Sequence, residues 1–178
     1  PIIGCALLEE GLKDPDADSS LHGYCAIEYL LDAWAANRHD LIARLETLLR
    51  VSVERHHAEH GAEEAIVGDA LLAVSRGESA RADAITLLRE RIGSFSRRSK
   101  VVAELVASAC SGDTANAEAA WGAFLASFDK GPALCFINHG RTPILSLAGL
   151  GLHRMIVERL GVQLPAYPPI VPPALISA

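Results

Sequence analysis

Apolar residues recur at helical spacing along most of the chain. Leu21, Tyr24, Ile27, Leu31 and Trp34 stand three or four positions apart, the spacing that lines one face of an α-helix. They predict a first helix that opens at Ser19 and Ser20 and closes by Asn37. Leu41, Leu45, Leu48 and Leu49 predict a second, from Asp40 to His60, with Gly61 as its stop. The stretch from Thr142 to Gly161 differs from both, because it is apolar on nearly every side. Such a helix is either a membrane span or the centre of a core. The apolar run from Pro143 to Leu152 falls far short of the roughly 18 to 20 residues that a span requires, so the pattern predicts a central core helix over 143–160. Thr142 supplies the N-cap, Pro143 the first position where a missing N–H costs nothing, and Gly161 the left-handed exit. Gly149 and Gly151 interrupt this helix. Each weakens it by about 1 kcal/mol relative to alanine, which predicts that another helix crosses closely over the bare backbone.

The middle of the chain repeats. A shift of 35 positions lays Gly77 on Gly112, Ala80 on Ala115, Ala82 on Ala117 and Ala84 on Ala119. Each copy reads as a helix that ends at glycine, an acidic and hydroxyl cap, and a second helix whose alanines face its partner. This predicts antiparallel hairpins over 62–92 and 95–130. The pair of helices joined at Asn37 is a looser version, with asparagine in the left-handed position that glycine takes elsewhere. The turns resemble those of tetratricopeptide repeats, although the tryptophan, tyrosine and closing proline of that pattern are missing here. The expected fold is all-α: a compact single-domain bundle of about seven helices, made of stacked hairpins around a central apolar helix and spanning residues 1–161. A short strand pair, Ile2 to Leu8 with Leu134 to Ile137, is the only sheet expected.

The tail over 162–178 holds most of the prolines and is also apolar. Proline dictates an extended, polyproline-II course, and a disordered tail would be polar and charged. The tail is therefore expected to lie in a groove, its own or a partner's, with Tyr167, Ile170 and Val171 as partner-binding residues.

Half of the 178 residues are apolar and the formal net charge is −6. A chain of this size buries one sizeable core, and its charge lacks the clustered excess of Lys and Arg that nucleic acid demands. No nucleic-acid partner and no membrane are expected. The one basic cluster, Arg97, Arg98 and Lys100, reads as a solvated helix start. Cys5, Cys25, Cys110 and Cys135 form no CxxC pair and read as buried free thiols. No secretory pattern is present, so a cytoplasmic location is expected.

Several constellations could carry chemistry. His56 and His60 stand one helical turn apart beside Glu59, Glu63 and Glu64. Two imidazoles at that spacing can share a divalent transition metal, with Glu63 as a third ligand. Asn138, His139 and Arg141 precede the central helix, where free N–H groups, an arginine and a histidine together suit a phosphate or carboxylate. Cys25 near a helix start, with His139 as base, resembles the pairing of papain-like enzymes, whose sheet is missing here. The start Pro1, Ile2, Ile3 resembles the oxalocrotonate tautomerases, whose βαβ units find no room in a helical chain. Asp14, Asp16 and Asp18 alternate like EF-hand ligands, but Ser19 and Cys25 replace the glycine and the glutamate of that loop. The reading that best fits the whole is a non-catalytic helical interaction protein without a cofactor. It would be an accessory or assembly subunit, chaperone-like or regulatory, whose partner is another protein or a second copy. The alternatives are a metal-dependent enzyme or sensor built on His56 and His60, and a regulatory domain that binds a small anion.

Overall fold

The computed structural model describes residues 6, 10, 19–59, 63–77, 81–129 and 147–166. Among these residues all regular structure is helical and there is no strand. The elements are α1 (Ser19–Ala35), α2 (His39–Glu59), α3 (Glu63–Arg76), α4 (Arg81–Arg91), a 3₁₀ turn (Ile92–Ser94), α5 (Arg97–Ala109), α6 (Thr114–Asp129) and α7 (Leu147–Leu160). The expected strand pair lies almost wholly outside the described residues, but the backbone at Ala6 is helical rather than extended. Thr142 and Pro143 also lie outside them.

Four helix ends share one device. After α1, α3, α5 and α7 the chain turns through a residue with positive φ: Asn37 at 54°, Gly77 at 66°, Gly112 at 73° and Gly161 at 67°. At the first of these the Arg38 N–H donates to the Ala33 carbonyl at 2.9 Å, which satisfies a carbonyl that the helix end would otherwise leave open. Asparagine tolerates this geometry because its short polar side chain can bond locally. Asp113 then starts α6, its Oδ1 accepting the Asn116 N–H at 3.1 Å.

The repeat holds at the turns and fails on the second helices. Ala84 and Ala117 are buried, whereas their partners under the shift, Ala119 and Ala82, are exposed. The reason is phase. The buried alanine stands seven residues beyond Gly77 in one copy and five beyond Gly112 in the other, and two residues rotate a helix face by roughly 200°.

α1 packs on α2, α3 and α7, and α3 is the most enclosed: it touches α1, α2, α4, α5 and α7. Its sequence explains this. Small or aliphatic side chains occupy every face from Ala65 to Val74 except at Asp69, and Gly68 lets α2 come close. A Cβ at Gly68 would lie 3.0 Å from Val53 Cγ2 and 3.5 Å from both Ile27 Cδ1 and Leu49 Cδ1. The core runs continuously from Trp34, Leu30 and Leu31 through Leu71 to Leu105, Trp121 and Phe124, all buried. α7 joins it through Leu152, Met155 and Ile156. The crossing expected at the α7 glycines is with α1. A Cβ built at Gly151 would fall 1.8 Å from the Leu31 carbonyl oxygen, and Gly149 is buried as well.

Candidate functional site

Two clusters draw side chains from several helices. The first centres on Trp34 at the end of α1. Its indole N–H donates to Ser75 Oγ of α3 at 2.9 Å, and the Ser75 hydroxyl donates to Glu46 Oε1 of α2. Arg76 Nε lies 3.6 Å from the other oxygen of that carboxylate. Glu46 is the one buried charged residue among the described residues, and a hydroxyl and a guanidinium meet its two oxygens. From α7, Arg154 Nη1 donates to the Ala35 carbonyl at 2.9 Å and the Trp34 carbonyl at 3.3 Å, replacing the partners that a helix end lacks. The Arg159 guanidinium lies 5.0 Å from the centroid of the Trp34 ring, within cation–π range, and His39 meets the ring edge-on at 6.0 Å. With its polar atoms committed to one another, the cluster acts as a lock joining α1, α2, α3 and α7.

The second cluster lies where the chain leaves α7. Trp121 of α6 stacks on Phe124 at 5.4 Å and meets the His153 ring of α7 at 5.1 Å. His153 Nε2 is 3.0 Å from the Pro165 carbonyl oxygen, a distance at which the N–H form of that nitrogen donates to the tail. Val162 is buried and Leu164 packs half-buried against the core. The segment from Gly161 to Ala166 has no regular secondary structure and is pinned to the bundle at three points.

The expected site residues fall mostly outside what is described. The His56 backbone is in α2, but its side chain and all of His60 lie outside the described residues. Glu63 opens α3, and its carboxylate accepts the Ser96 N–H, fastening α3 to the start of α5. No group of three or more His, Cys, Asp or Glu side chains placed to hold a metal occurs among the described residues. Asn138, His139, Arg141, Tyr167, Ile170 and Val171 lie outside them, as does the Cys25 side chain. The reading of the sequence missed Glu46, Ser75 and His153. For Glu46 a signal existed: it follows Ile42 by four and precedes Leu49 by three, which places a carboxylate on the apolar stripe of α2.

No helix among the described residues is long and apolar enough to cross a membrane. No protein-family model, curated protein or solved structure matches the chain.

Proposed function

We propose that this chain is a non-catalytic interaction protein whose proline-rich C-terminal segment, Tyr167 to Ala178, engages a partner protein. The observation that carries this reading is the anchoring of the preceding residues. Val162, Leu164 and the His153 contact to Pro165 hold the base of the tail on the bundle. An extended segment launched from a fixed base loses less freedom on binding than one launched from a free chain, and polyproline II is already close to its bound form. The surface of the bundle supports the same reading. Among the described side chains Val51 is the one large hydrophobic that is exposed, so that part of the helical surface offers no apolar patch of the size that marks an interface. The sequence of the tail is apolar, and Tyr167, Ile170 and Val171 would be its anchors.

The test is affinity purification from native extract with the full chain and with a chain ending at Ala166. The full chain retains a partner that a synthetic peptide of residues 165–178 displaces, and the shortened chain retains none. Capture of the same partner by both chains would exclude the tail as the contact.

A further inference from the structure

We propose that the corner between α4 and α5 is a second interaction surface, one that fits an acidic polypeptide segment. The inference rests on the reading of this chain as an interaction protein, but not on its tail. Residues 91–100 carry four cations, Arg91, Arg97, Arg98 and Lys100, and no carboxylate. That stretch is +4 in a chain of net −6, which leaves −10 for the remainder. Arg91 and Arg97 are exposed, and neither forms an ion pair with another described residue. Lys100 lies 3.8 Å from Glu104 in a pair open to solvent. Glu63 of α3 accepts the Ser96 N–H.

The dipole of α5 does not stabilise these cations. Cations in the first turn of a helix meet the positive end of its dipole. α5 has no acidic residue in its first turn, as is also true of α1, α6 and α7, but it alone opens on Arg97, Arg98 and Lys100. The corner is also rigid: Ile92 and Phe95 pack against the core between the exposed arginines, and the Ser96 side chain caps α5. A fixed group of cations on an otherwise anionic molecule is a short-range attractor for a short anionic ligand. It suits an acidic peptide better than a nucleic acid, whose phosphates continue past the corner over surface of their own sign.

The proposal is tested by the anisotropy of a fluorescein-labelled peptide of repeating Glu, Asp and Gly, titrated with the full chain at low ionic strength. The variants are R91E/R97E and, as a control with the same change of net charge on the exposed face of α2, R44E/R50E; circular dichroism confirms that both remain helical. We expect R91E/R97E to bind at least about tenfold more weakly, R44E/R50E to bind within about twofold of the parent, and binding to fall as salt rises. Equal losses in the two variants, or no binding by the parent, would overturn the surface. Tighter binding of a single-stranded oligonucleotide than of the peptide would overturn the class of partner. Because residues 167–178 stay in place throughout, either result leaves the tail reading standing.

Discussion

Gly151 of α7 sits so close to the Leu31 carbonyl of α1 that a Cβ there would fall 1.8 Å from the oxygen and 2.6 Å from its carbon. Both are backbone atoms, so no side chain can swing away to make room. Gly151→Ala must separate α1 from α7, and overpacking of this kind costs roughly 1 to 3 kcal/mol or more. Gly122 of α6 provides the opposite case, since a Cβ there meets nothing within 4 Å. Gly122→Ala should gain about 0.5 to 1 kcal/mol from helix propensity. Thermal unfolding should therefore move in opposite directions for the two substitutions. A fall for both, or a neutral Gly151→Ala, would remove the crossing.

Ser75 both accepts from Trp34 and donates to Glu46. Ser75→Ala leaves two buried polar atoms without that partner, a loss of about 1 to 3 kcal/mol. Ser127 is also buried, yet its hydroxyl bonds only to the Phe124 carbonyl of its own helix at 2.6 Å. Ser127→Ala should cost less in a denaturant titration, and Trp34→Phe combined with Ser75→Ala should cost less than the two singly added.

At the start of α2, Arg38 Nε donates to Asp40 Oδ1 at 2.7 Å and Nη2 bonds to the second oxygen. This fork holds the Asp40 carboxyl below the usual aspartate range, the hydrogen bond from Arg38 being the main cause, and raises the Arg38 guanidinium in turn. Because the folded value is the lower one, the contribution is complete at neutral pH and is lost as the pH falls through the folded Asp40 value. Carboxyl NMR titration should show the Asp40 midpoint rising in Arg38→Gln. An unmoved midpoint would mean that the fork does not form in solution.

Much of this fold could be read from local rules, because helix periodicity and left-handed exits are properties of a few neighbouring residues. Asn37 and Gly161 were legible as helix ends for that reason, and Gly151 as a crossing because a glycine inside an apolar helix needs a close neighbour. The partner at that crossing was not legible, since nothing near Gly151 in the sequence points to Leu31. The alanine register failed because the face that each second helix turns to the core, with Ala84 buried in α4 but Ala117 in α6, depends on the neighbours it packs against, which the shift does not see. The Trp34 cluster joins residues 29 and 41 positions apart, and only the assembled helices bring them together.

We propose that the bundle is complete by Ala166 and that the apolar tail beyond it serves a partner. The most direct measurement compares thermal unfolding and circular dichroism of the full chain with those of a chain ending at Ala166. The account predicts the same helical signal and a melting temperature within about 2 °C, a shift corresponding to at most roughly 1 kcal/mol for a chain of this length. A melting temperature lower by roughly 8 °C or more, with loss of helical signal, would place the tail in the protein's own core and contradict the claim.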